Sequence, residues 1–137
     1  MEQERQPPSP TEARNAGHVL VVDDEALIRT MLVKYLRRQG YEVRAAQNGA
    51  EALALVEQAL PDVVIVDIYM PGMNGVEVLR ALRARQYRGT VIALTASQDE
   101  KLLLDMLEFG SMDVMNKPVN LERLGLAVQV GLAISET

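Results

Sequence analysis

The sequence predicts an α/β fold, a doubly wound five-stranded parallel sheet with helices on both faces. Two observations predict it. The apolar runs VLVV (19–22), VVIV (63–66) and VIAL (91–94) are short, rich in β-branched residues and uninterrupted by polar ones. An uninterrupted run means that both faces of a strand are covered, which is the situation of central strands in a parallel sheet. The segments between these runs change period to that of an amphipathic helix. Strand and helix therefore alternate, and right-handed crossovers place the helices on both sides of the sheet.

Order is expected to begin at His18. Residues 1–17, MEQERQPPSPTEARNAG, are polar, carry three prolines between positions 7 and 10, and lack the apolar segment of a secretory signal; they read as a disordered leader. The single domain is expected over 18–135. After the first strand, Ile28, Met31, Leu32, Tyr35 and Leu36 follow the i, i+3, i+4, i+7, i+8 template of a helix, and Gly40 stands where a helix ends. YEVRAA (41–46) alternates and reads as a strand nearer an edge. The second helix opens at NGAE (48–51), where Asn48 caps and Glu51 completes a capping box; Leu53, Val56 and Leu60 form its stripe and Pro61 stops it. NGVE (74–77) opens the third helix by the same device, and SQDE (97–100) opens the fourth with Ser97 as cap. MDVM (112–115) is a weaker fifth strand, and a fifth helix follows Asn120.

Composition excludes several kinds of chemistry. With 137 residues the chain is the size of one domain, and 48% hydrophobic content is ordinary for a packed core. There is no cysteine, so disulfides, thiolate metal sites and cysteine catalysis are excluded. A single histidine, His18, builds no histidine metal cluster and is expected to be a strand-edge residue without a chemical role. A net charge of −5 gives no electrostatic reason for direct nucleic-acid binding. No apolar run is long enough to span a bilayer, and a cytoplasmic location is expected.

In open sheets of this kind the working site lies beyond the carboxyl ends of the strands. The first strand ends in Asp23-Asp24, the third in Asp67, the fourth in Thr95, and the fifth leads to Lys117-Pro118. Each residue alone has an ordinary explanation: Asp24 as a helix cap, Asp67 as the opening of the turn before Pro71-Gly72, Thr95 as a strand residue, Lys117 as a solvated lysine. Together they bring three carboxylates, a hydroxyl and an ammonium to one edge. Converging acids repel by several kcal/mol at low effective dielectric. An oxygen-only set without His or Cys points to Mg²⁺ as the ion that offsets this, with Lys117 as a second cation.

The segments VLVVDDE, DVVIVDIYMPGMNG, ALTA and NKP, in this order and each at a strand end, resemble the receiver domain of bacterial two-component response regulators over about residues 18 to 135. The resemblance implies a flavodoxin-like sheet in the order 2-1-3-4-5. It implies that Asp67 is the phospho-acceptor, taking a phosphoryl group from a phosphohistidine on a sensor histidine kinase or phosphotransfer protein. It further implies that Asp23, Asp24, Asp67 and the carbonyl of Tyr69 bind Mg²⁺, that Thr95 and Lys117 contact the phosphoryl oxygens, and that the Lys117-Pro118 bond is cis. The domain would catalyse only its own phosphorylation and dephosphorylation, as a switch acting on a downstream protein or output domain.

The sequence departs from the family pattern at two positions. Val114 stands where the family has an aromatic switch residue, and Val119 where it often has Phe. Either Tyr69 or Phe109 shares the signalling role, or coupling runs through the fourth helix alone; the second is preferred, with Met112 and Met115 able to repack. Tyr69 and Ser97 are expected at the mouth of the site, Ser97 more as a helix cap. In LERLGLAVQVGLAISE, Leu121, Leu124 and Val128 form one stripe and Leu126, Val130 and Ile134 a second. With LLLDML (102–107), the second stripe suggests a partner or homodimer face of helix four, strand five and helix five. Rival readings are a Mg²⁺-dependent aspartyl-phosphate phosphatase, disfavoured because the acids are adjacent rather than two residues apart, and a receiver-like scaffold that takes no phosphate. Flavin binding is disfavoured because no phosphate-cradling loop follows the first strand.

Overall fold

The three uninterrupted apolar runs form β1 (His18–Val22), β3 (Val63–Asp67) and β4 (Thr90–Thr95), and the two weaker segments form β2 (Glu42–Ala46) and β5 (Asp113–Asn116). In this computed structural model, which describes residues 17–96 and 99–135, all strand pairs are parallel and the order is β2-β1-β3-β4-β5. Every residue of β3 and β4 is buried, which is the physical reason their sequences show no alternation. β2, at an edge, alternates between exposed and buried positions.

The helices are α1 (Ala26–Arg38), α2 (Gly49–Gln58), α3 (Gly75–Ala84), α4 (Glu100–Glu108) and α5 (Leu121–Ser135). They divide the core in two. Val19, Val21, Val63, Ile65, Ile92 and Leu94 face α1 and α5, meeting Leu32, Leu36, Leu124 and Val128. Leu20, Val22, Val64, Val66, Val91 and Ala93 face α2, α3 and α4, meeting Val56, Leu79, Leu82 and Met106. Each fully buried aliphatic side chain contributes about 1.5–3 kcal/mol relative to exposure. The opposite sheet faces are thus fixed by alternate residues of the same runs.

Helix ends follow local chemistry. Asn74 and Glu77 form a complete capping box on α3. At α2, Asn48 accepts from the Glu51 N–H at 2.8 Å, but the Glu51 carboxylate reaches one residue further back, to the Gln47 N–H. Gly40, after α1, has φ +97°, a conformation that favours glycine. Three expectations are corrected. α2 ends at Gln58 and Leu60 is 69% exposed rather than part of the stripe, because the residue before a proline is driven out of the helical region. α4 begins at Glu100 with Asp99 as its cap, accepting from the N–H groups of Lys101 and Leu102; the expected cap Ser97 lies outside the described residues, as does the leader over 1–16. β5 starts one residue later than expected, at Asp113. At the amino edge of the sheet, His18 Nε2 accepts from Arg44 Nε at 2.7 Å. No helix among the described residues is long and apolar enough to cross a membrane.

Candidate functional site

The strand register decides which residues meet. Val22 pairs with Val66, Asp67 with Leu94, and Thr95 with Asn116, so β1, β3, β4 and β5 finish at one edge of the sheet. The residues at or just past those ends are Asp23, Asp67, Thr95 and Lys117. The chain turns away from β3 through Gly72, with φ +76°, and enters α3 at Gly75. A Cβ on Gly75 would lie 2.6 Å from the Asp67 carbonyl oxygen. Glycine there lets the helix start pack directly against the strand end that carries Asp67.

Asp23 is fully buried. Its N–H donates to the Ala46 carbonyl, its Oδ1 accepts from the Glu25 N–H at 2.9 Å, and its own carbonyl accepts from Arg29 at 2.7 Å. Its Oδ2 has no hydrogen bond of good geometry but lies 3.0 Å from Lys117 Nζ. Asp67 is 3% exposed; Oδ1 accepts from the Tyr69 N–H at 3.2 Å and Oδ2 accepts from Lys117 at 3.1 Å. Lys117 is anchored by its own N–H, which donates to the Thr95 carbonyl at 2.8 Å, and its peptide bond to Pro118 is cis. Thr95 is 1% exposed at the end of β4, and Tyr69 is 40% exposed beside the acidic group.

Among the described residues, one group of acidic side chains has oxygens within 4.8 Å of one another: Asp23, Glu25 and Asp67. Asp24 is exposed and outside that group. Glu25 stands in it instead, with Oε1 2.7 Å from Lys117 Nζ. Sequence reasoning did not single out Glu25. The signal was the third of three consecutive acids, but spacing alone does not say which of them a strand-to-helix loop turns inward. Glu25, in extended backbone (φ −87°, ψ 115°) at the start of α1, is the one whose carboxylate reaches Lys117.

The electrostatics are those of crowded acids around one ammonium. Burial, then the Asp23 carboxylate, push the Asp67 carboxyl up to about 6, with Lys117 pulling partly back. Burial works against the Lys117 charge, but Glu25, Asp23 and Asp67 outweigh it and hold the ammonium above the ordinary lysine range. Two carboxylates about 5 Å apart repel by about 3 kcal/mol at an effective dielectric near 20. The donor set is oxygen-only, buried at Asp23 and Asp67, and carries more acid than Lys117 neutralises, so it fits a hard divalent cation.

The family model for the response regulator receiver domain matches residues 19–129. The chain belongs to that family. This receiver is 39% identical over 118 residues to the regulatory protein AtoC of Escherichia coli, covering 86% of this chain and 26% of AtoC. It is 37% identical over 118 residues to the alkaline phosphatase synthesis transcriptional regulatory protein PhoP of Bacillus subtilis, covering 86% of this chain and 49% of PhoP. Among solved structures, the chemotaxis protein CheY4 of Vibrio cholerae superposes with a TM-score of 0.78 at 34% identity, over 83% of this receiver and 97% of that chain. A CheY-like receiver domain protein of Methanospirillum hungatei superposes at 0.81 and 29% identity, over 87% and 95%. The receiver spans about a quarter to a half of the length of the curated relatives it matches. The sheet order 2-1-3-4-5 is that of the flavodoxin-like fold expected from the resemblance. The family's aromatic position holds Val114, half-buried against the α2, α3 and α4 side of the core; Phe109 lies beneath the Arg80 guanidinium, 5.3 Å from its ring centre.

Proposed function

We propose that this receiver is a phosphorylation switch in which Asp67 accepts a phosphoryl group from a phosphohistidine of a sensor kinase or phosphotransfer protein. The observation that carries the reading is the Lys117 ammonium, 3.1 Å from Asp67 and 3.0 Å from Asp23 at the carboxyl edge of the sheet. An Asp67 oxygen attacks phosphorus, the phosphorus–nitrogen bond breaks, and the imidazole nitrogen keeps the bonding pair. Positioning and charge neutralisation supply most of the catalysis in such a transfer. Asp23 and Asp67 would hold Mg²⁺, with Asp24 and the Tyr69 carbonyl as the further ligands the family resemblance implies. Bound there, the ion offsets the negative charge that a phosphoryl group brings to an acidic pocket. Lys117 stands ready to pair with the phosphoryl oxygens, and Thr95 supplies a hydroxyl at the same edge. The resulting acyl phosphate is removed by water, which makes the state timed and the domain a switch rather than a turnover enzyme.

The partner surface is proposed on α4, β5 and α5, where Leu104, Leu107, Leu126 and Val130 are 64%, 51%, 63% and 52% exposed. A row of exposed aliphatics marks an interaction surface, for a downstream protein, an output domain or a second copy. Incubation with a small acyl-phosphate donor and Mg²⁺ is expected to add one phosphoryl group, located at Asp67 by mass spectrometry; native mass on the same sample reads self-association. An adduct elsewhere, or none, contradicts the reading. Tyr69, half-exposed beside the acceptor, restricts the approach of water. Tyr69→Ala is expected to speed loss of the phosphoryl group several-fold in a decay assay, and an unchanged rate would argue against that role.

A further inference from the structure

We infer that Glu25 is a displaceable counter-ion for Lys117, occupying the ammonium until a phosphoryl group on Asp67 takes its place. The inference rests on the phosphoryl-acceptor reading and adds a positioning residue to it. An ammonium has three protons to donate. Lys117 Nζ faces three carboxylates, Glu25 at 2.7 Å, Asp23 at 3.0 Å and Asp67 at 3.1 Å. Glu25 and Asp67 hold two of its donors in hydrogen bonds and the Asp23 carboxylate stands 3.0 Å away as an ion-pair partner, so phosphoryl oxygens must compete with these carboxylates for the ammonium.

The three carboxylates differ in how freely they leave. Asp23 is fully buried, and its other oxygen holds the Glu25 N–H. Asp67 is the acceptor itself, so the phosphoryl group arrives on it. The Glu25 side chain is 59% exposed, and Lys117 is the partner its carboxylate has among the described residues. Glu25 makes no side-chain cap to α1. Moving that carboxylate into water therefore breaks one contact and buries nothing. The same contact is the shortest of the three, so it competes directly for the ammonium. Glu25 thereby raises the threshold for charging Asp67 and keeps Lys117 positioned while the site is empty of phosphoryl oxygens.

The test is the affinity of beryllofluoride, a phosphoryl analogue, at saturating Mg²⁺, read by calorimetry on the whole chain carrying Glu25→Gln or Glu25→Ala. Saturating Mg²⁺ removes any effect of the lost charge on cation binding. Both variants are expected to bind the analogue about twofold to fivefold more tightly than the parent, the range an ion pair with one exposed member supports. Mg²⁺ titrations without beryllofluoride are run alongside. Unchanged or weaker analogue binding in both variants overturns the inference while leaving the acceptor reading intact. A loss of Mg²⁺ affinity of a hundredfold or so overturns it in a different way, making Glu25 a metal ligand. Failure of the parent chain to bind beryllofluoride at all overturns the acceptor reading and this inference with it. Thermal melts of the variants confirm that the fold is intact, as expected for an exposed side chain at a helix start.

Discussion

Asp67→Asn is expected to abolish phosphoryl uptake and, at neutral pH without Mg²⁺, to stabilise the fold by about 1–3 kcal/mol. The Asp67 carboxyl is held at about 6 against an ordinary 3.8, first by burial and then by Asp23. A raised acid means that the folded state binds the proton more tightly than the unfolded chain does. Below about pH 4 both states are protonated and the acid costs nothing. As pH rises from about 4 through 6, the unfolded chain ionises freely while the folded state resists, and the cost grows. Above about 6 it is complete. Ionising an acid raised this far costs the folded state about 3 kcal/mol, and the gain from asparagine is smaller because it also loses the contact with Lys117. The measurement is urea denaturation of both proteins with a chelator, at neutral pH and near pH 4. The gain should be present at neutral pH and vanish in acid. Equal stability at neutral pH would show that the Asp67 carboxylate is not strained. A carboxylate that destabilises its own fold would fit the proposed reading of Asp67 as a nucleophile that works beside a bound cation.

Much of this was legible in the chain because burial on two faces leaves a one-dimensional mark. β1, β3 and β4 carry uninterrupted apolar runs since α1 and α5 cover one side and α2, α3 and α4 the other. Once the strands are placed, the edge on which Asp23, Asp67, Thr95 and Lys117 gather follows from parallel topology alone. The second stripe of α5 was legible for the same reason. A single sheet face accepts one stripe, and Leu126, Val130 and Ile134 are left 63%, 52% and 53% exposed.

What was not legible depends on backbone angles rather than on periodicity. Asp24 and Glu25 are adjacent acids in a loop, and which one faces Lys117 depends on the angle at which the chain leaves β1. The start of α4 is a similar case. Ser97 and Asp99 are both competent caps, and Asp99 takes the position by accepting from two N–H groups of the first turn. Leu60 fits the helical stripe of α2 by spacing, yet Pro61 ends the helix before it. The switch element is least legible of all. With Val114 at the aromatic position, a side-chain flip there carries no ring.

Lys117→Ala is expected to be the most destabilising single change at the site, by about 3 kcal/mol without Mg²⁺ at neutral pH. The side chain is 9% exposed and faces three carboxylates. Removing it leaves the Asp23 and Asp67 carboxyl groups buried and facing each other without a cation. An ordinary exposed lysine would cost less than about 0.5 kcal/mol on the same substitution. Three features separate the two cases. The loss should shrink as pH falls toward 4, because protonating Asp67, whose carboxyl burial and Asp23 hold up, removes repulsion that Lys117 offsets. It should shrink again on adding Mg²⁺, which stabilises the folded variant by an amount that grows with the logarithm of one plus the ratio of ion concentration to Kd. The variant should bind Mg²⁺ more tightly than the parent, since the ion no longer shares the pocket with an ammonium. Combining Lys117→Ala with Asp67→Asn should restore much of the lost stability, a coupling expected only of groups in contact. Denaturation curves of the parent, the two single variants and the double variant, with and without Mg²⁺, measure all of this. Strict additivity in that cycle would mean that Asp67 and Lys117 do not act on one another, and the acidic edge would lose its reason to hold together.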